Sequence, residues 1–157
     1  MSDTTITAQP GTPFIDITRE FAAPRAAVFR AHTEPDLMKQ WLGPRDLEME
    51  ILEFDPRSGG GYRYVHRADR GEFHFRGVFH RVEDGTRIVQ TFEFEAAPDD
   101  VCLETMTFTD LPGGRTRLHG HSVFSSVEAR DTAVESGMNH GIVESYERLD
   151  EILEKEA

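Results

Sequence analysis

The stretch SSVEARDTAVESGMNHGIVESYERLDEILEKEA, residues 125–157, decides the fold. It holds no proline, and Val134, Met138, Ile142, Ser145, Leu149 and Ile152 recur at steps of three and four, with Leu153 beside them. At 3.6 residues per turn those positions share one helix face. Ser125 as N-cap with Glu128 three positions on reads as a capping box. About thirty residues at 1.5 Å each predict one helix roughly 45 Å long. The acids of the segment fall mainly off the apolar stripe and read as its solvated side. Such a stripe must be buried against another element, and the rest of the chain supplies a sheet.

Upstream, alternating runs separated by turn residues predict consecutive antiparallel strands. They cover 47–54, 61–67, the run through Phe73, Phe75, Gly77 and Phe79, then Ile88 to Phe94, 101–109 and 115–124. Asp84-Gly85 and Pro112-Gly113-Gly114 mark two of the turns. Residues 14–21 form a further strand at one edge. Between it and residue 47 lie two short helices, one opening at Pro24 and one capped by Thr33. Residues 1–13, with Pro10, Gly11 and Pro13, read as a flexible N-terminal arm, and 14–157 as a single domain. The expectation is therefore an α+β chain, with a curved seven-stranded antiparallel sheet around a long C-terminal helix and two short helices after the first strand.

At 157 residues with a formal net charge of −12, the chain supports one core and repels phosphate backbones, so nucleic acid and anionic membrane are not expected partners. No segment approaches the apolar length of a membrane span, and no secretory pattern opens the sequence, so a cytoplasmic setting is expected. Cys102 is the single cysteine and permits no internal disulfide.

Chemistry is sparse. Neither a metal cluster, a phosphate loop nor a nucleophile elbow is present in the sequence, so no metal, no cofactor and no nucleophilic triad are expected. Most of the seven histidines read as solvent-facing partners of nearby acids. What remains is a candidate ligand cavity between sheet and helix. Tyr62, Tyr64 and His66 alternate on one strand and would present polar tips toward the helix, beside Phe75 and Phe92. Met138 and Ile142 face them from the helix. Gly137 and Gly141 cost helix stability and leave room or allow close approach. Trp41 is placed to cap an apolar pocket and offer its indole N–H. Glu104 is the one candidate acid–base group: if it shares an internal face with Cys102, Met106 and Phe108, burial raises its pKa.

Several segments together resemble a known family. They are Phe21-Ala22-Ala23-Pro24, Val28-Phe29, and Thr33-Glu34-Pro35 through Trp41-Leu42-Gly43-Pro44. Gly60-Gly61-Tyr62-Arg63-Tyr64, Gly77-Val78-Phe79, Thr91-Phe92-Glu93-Phe94, Gly114-Arg115-Thr116-Arg117-Leu118 and Ser136-Gly137-Met138 with Gly141 extend the likeness. Over about residues 14–155 the chain resembles the START-like (SRPBCC) superfamily, in the bacterial branch similar to the C-terminal domain of the activator of Hsp90 ATPase. That resemblance implies the helix-grip fold and a cavity for hydrophobic molecules. The leading functional expectation is binding or sensing of a small hydrophobic or aromatic molecule, more a binder than an enzyme. The alternatives are a cofactor-independent cyclase, dehydratase or hydrolase using a buried acid, and a protein-binding module acting on a chaperone or regulator. A homodimer through the uncovered sheet face is the expected oligomer.

Overall fold

A computed structural model describes residues 3–156; residues 1, 2 and 157, the outer ends of the expected arm and domain, lie outside the described residues. The chain forms β1 (Thr5–Thr7), β2 (Phe14–Phe21), α1 (Arg25–Thr33), α2 (Pro35–Trp41), β3 (Glu48–Phe54), β4 (Gly61–Ala68), β5 (Gly71–Glu83), β6 (Arg87–Phe94), β7 (Cys102–Leu111), β8 (Arg115–Val123), α3 (Val127–Glu135) and α4 (Met138–Glu156). The strands make one eight-stranded antiparallel sheet in the order β1-β2-β8-β7-β6-β5-β4-β3. The α+β architecture of a sheet wrapped on a C-terminal helix is the helix-grip arrangement. No helix among the described residues is long and apolar enough to cross a membrane.

Four local expectations are corrected. The sheet has eight strands rather than seven, because Thr5–Thr7, placed in the arm, pairs with Thr18, Ile17 and Asp16 of β2. Ile6 then packs on the core, which is what the polar surroundings of this segment concealed. The long helix is two helices. Gly137 at φ +89° breaks it, and Gly137 N–H bonds Val134 O in the closing turn of α3. A left-handed residue ends a helix, and glycine adopts it without a Cβ clash. The N-cap of α3 is Ser126, whose hydroxyl accepts from Ala129 N at 3.0 Å, while Ser125 donates to Asp100. Glu128 therefore sits one position too early to complete a capping box. Likewise Thr33 closes α1 instead of capping α2, its hydroxyl donating to Phe29 O at 3.2 Å.

The register decides which side chains face the helix. Cross-strand partners share a face, and the pairs Ile51–Tyr64, Tyr64–Phe75, Gln90–Glu104, Glu104–Ser122 and Ser122–Ile15 carry one face from β3 across to β2. On the opposite face, charges pair across strands: Arg63 with Glu95, Arg76 with Glu93, Arg67 with Glu50 and Glu72, and Asp16 with His119 and His121. These exposed pairs keep that face wet and contribute little each to stability.

α4 lies across the concave face, with Tyr146, Leu149, Ile152 and Leu153 buried against Ile15, Ile17, Phe21 and Leu118. It is tied to the loop between α2 and β3 by polar bonds. Gly43 N–H donates to Ser145 Oγ at 2.8 Å, and Arg148 donates to Gly43 O at 2.8 Å and to Gln40 O at 2.7 Å. At the far side Arg19 of β2, itself buried, pairs with Asp150 of α4.

Candidate functional site

The space between sheet and helix is unevenly filled. Leu149 in the C-terminal half of α4 and the inward Ile15, Phe21 and Leu118 of the sheet are fully buried. Met138 and Ile142 in the N-terminal half of α4, and Phe75, Phe92, Glu104 and Met106 on the inward face of the sheet, are only half-buried, and all but Glu104 pack on the core. An inward side chain keeps accessible surface only where the opposite wall does not reach it. The half-buried side chains include those at the start of α4.

One wall of this region is a row of rings. Tyr62 stacks on Tyr64 (6.2 Å, 16°), Tyr64 on Phe75 (5.2 Å, 25°) and Phe75 on Phe92 (5.4 Å, 21°), so the row crosses β4, β5 and β6. Gly77 makes the row possible: a Cβ there would stand 2.0 Å from Thr91 O and 2.5 Å from the Tyr62 hydroxyl. Phe75 thereby lies between Tyr64 and Phe92 in the row.

The polar centre is Glu104. It shares its face with Cys102, Met106 and Phe108, and that face is internal. Gln90 Nε2 donates to Glu104 Oε1 at 2.9 Å and lies 3.4 Å from the Tyr62 hydroxyl, which donates to Thr91 O at 2.6 Å. Burial pushes the Glu104 carboxyl up, with the Gln90 bond opposing. Burial also pushes up the Tyr62, Tyr64 and Tyr146 hydroxyls and the Cys102 thiol, and the nearby Glu104 charge adds to each. Gln90 and Tyr146 were not singled out from sequence. The signal for Gln90 was its place opposite Glu104 in the β6–β7 pairing; for Tyr146, its place beside Ser145 and Leu149 on the buried helix face.

The other expected residues divide. Trp41 is buried, stacks on Tyr146 (6.0 Å, 22°) and donates its indole N–H to Ala31 O at 3.0 Å, so its donor is used within the core. His66 is buried against Tyr64 and Phe75, its ring beneath Gly43 and its Nε2 without a hydrogen bond. Burial lowers its pKa, against its bond to the Leu42 backbone. Gly137 forms the helix break, and Gly141 faces Pro44, whose Cγ would stand 3.8 Å from an added Cβ. His32, expected at the surface like most histidines, is buried between Trp41 and Phe108, and burial holds it down to about 4. It lies four residues after Val28, on the face of α1 that carries the buried Val28 and Phe29.

Two open clefts lie away from this interior. One, of about 560 Å³, is lined by Asp46, Glu48, Arg67 and Arg70 among others. The second, of about 670 Å³, lies between α1 and the turns at Gly85 and Asp110. Their basic groups are already engaged, Arg67 by Glu50 and Glu72 and Arg25 by Asp110 and Gly85 O.

Comparison with solved structures gives the same fold repeatedly. A crystal structure from Rhodobacter sphaeroides is similar at 27% identity and a TM-score of 0.88, covering 98% of this chain and 99% of that one. Another from Chromobacterium violaceum is similar at 26% identity and a TM-score of 0.81, covering 90% and 97%. A third, from Mycobacterium smegmatis, shares the fold at 23% identity and a TM-score of 0.86, over 99% of both chains. Comparison with curated protein sequences gives no match. The family model described as Activator of Hsp90 ATPase homolog 1-like protein matches residues 22–154, in keeping with the START-like resemblance of the sequence. The chain belongs to that family.

Proposed function

We propose that the protein binds a small hydrophobic or aromatic molecule between the sheet and the N-terminal half of α4. The observation that carries the reading is the set of inward-facing side chains that stay half-buried there, Phe75, Phe92, Met106, Met138 and Ile142. A ligand would cover the surface these residues leave open, as apolar sites with a few polar groups do. A two-ring aromatic of tryptophan-like area, roughly 150–250 Å², gains about 4–6 kcal/mol on leaving water. That places a plain hydrocarbon near the millimolar range and leaves tighter binding to polar contacts.

Native mass spectrometry of protein taken directly from its host tests the reading. A bound apolar molecule in stoichiometric amount supports it. Protein of bare mass that also takes up no added ethylnaphthalene contradicts it. A second reading, acid–base catalysis, is favoured by one observation, the inward-facing Glu104 held by Gln90 at 2.9 Å, whose carboxyl burial pushes up. The recovered ligand separates the two: chemically unchanged after long incubation for a binder, converted for an enzyme.

A further inference from the structure

The helices pack on the concave side, where Val28 and Phe29 of α1, Trp41 of α2, Val134 of α3 and Tyr146 of α4 join the core, and the outer face of the sheet stays open. Across that outer face runs a row of apolar side chains. Phe14 of β2 stands opposite Val123 of β8, Val123 opposite Leu103 of β7, and Leu103 opposite Thr91 of β6. Val78 of β5 closes the row, its N–H bonded to the Thr91 hydroxyl at 2.9 Å. Val78 is 55% exposed, Leu103 44% and Phe14 38%, with Val123 and Thr91 half-buried between them. Val101, two residues before Leu103, is exposed as well. Side by side over five strands, these residues make a continuous patch rather than scattered surface positions.

Charge decides what can cover the row. Beside it, Arg76 pairs with Glu93, Arg63 with Glu95, and Asp16 with His119 and His121, so this face is close to neutral. Residues 126–157, which form α3 and α4 on the other side of the sheet, hold nine acids against three bases, half of the net charge of −12. A partner recognised by its charge is drawn to those helices and not to this face. A second copy fits it. Two sheets packed outer face to outer face stand about 10 Å apart, which leaves their acidic helices on the far sides, roughly 30 Å from each other and several Debye lengths apart. The six strands from β2 to β4 in sheet order, each of eight residues or more, present roughly 750 Å² at about 4.8 Å per strand and 3.3 Å per residue. A standard interface takes about 800 Å² from each partner.

We infer that the protein pairs with a second copy of itself through this row, sheet face to sheet face about a two-fold axis over Leu103. Leu103 is the middle of the five positions, so the axis sets it against its own copy. With the axis along β7, Phe14 lies over the partner's Val78, and one open end of the row covers the other. The pairing is independent of any ligand in the interior.

Sedimentation equilibrium of the full chain tests it. The wild-type protein is expected to be a dimer at micromolar concentration. Leu103→Lys should weaken the dimer about a hundredfold or more, because each copy brings the residue to the axis. Val78→Lys should act in the same direction, whereas Leu52→Lys, at a position 43% exposed on the edge strand β3, should leave association unchanged. All three positions are exposed, so circular dichroism of the variants should match the wild type. Added salt should tighten the dimer or leave it intact, since like-charge repulsion is what opposes it. Leu103→Cys should cross-link to its copy through a short bismaleimide, which the wild type, with its single buried Cys102, should not do. A dimer that survives both Leu103→Lys and Val78→Lys, or that dissociates as salt is added, has its contact elsewhere and overturns the inference. A monomer at every attainable concentration overturns it too, whether the row then stays bare or takes a different protein.

Discussion

His32 and Glu104 are both ionisable groups that the fold has taken out of water, and each leaves a measurable mark on stability. His32 titrates near 6.5 when unfolded and is held down to about 4 by burial in the native state. Between those values the unfolded chain binds the extra proton, so stability falls as pH drops through that window. The loss reaches roughly 3 kcal/mol by the lower end. Urea denaturation at pH 7 and pH 4.5 should show it, and His32→Leu should flatten that slope. Glu104 has the opposite sign, because its raised pKa makes the native state hold its proton longer. Its contribution is present at low pH and is lost as pH rises through the native value. Glu104→Gln should therefore raise stability at neutral pH, by about 0.5–2 kcal/mol, as relief of a strained functional position commonly does. The inward face of Glu104 was legible from alternation alone. His32 was legible only through its spacing, four residues after Val28 on the face of α1 that packs inward.

The elements divide similarly. The apolar stripe from Val134 to Ile152 was readable, because periodicity reports which face is buried. The break at Gly137 was not, because two glycines four apart on one helix look equivalent until backbone angles separate them. Gly137 has φ +89° with open space around it, whereas Gly141 lies within the helix with only an ordinary contact to Pro44. The same substitution should act in opposite directions at the two sites. Gly137→Ala should destabilise by about 1 kcal/mol through backbone strain alone. Gly141→Ala should stabilise by up to about 1 kcal/mol through helix propensity. Thermal unfolding of the two variants side by side checks the pair, and equal shifts would contradict the assignment of the break. The caps expected at Ser125 and Thr33 each lie one residue before the observed N-caps, Ser126 and Glu34, because the Ser125 hydroxyl goes to Asp100 and the Thr33 hydroxyl to Phe29 O.

For the whole molecule, the strand order beyond β1 followed from turns and alternation, and the seating of helix on sheet from the apolar stripe, but the polar contacts that lock them did not. That closure rests on contacts distant in sequence, such as Arg19 with Asp150 and Gly43 with Ser145. Burial pushes the Asp150 carboxyl up and Arg19 only partly offsets this, so the pair adds little net stability. Removing one partner is another matter. Asp150→Ala leaves Arg19 buried without its counter-charge and should cost about 3 kcal/mol in denaturant unfolding. The claim that most needs testing is the binding site proposed between the sheet and the N-terminal half of α4. Methyl NMR of the methionines, titrated with ethylnaphthalene, tests this most directly. Met106 and Met138 line the proposed site, while Met38 lies on α2. Saturable shifts at Met106 and Met138 with Met38 unmoved are expected. Unmoved signals at Met106 and Met138 up to the solubility limit of the probe would contradict an open interior.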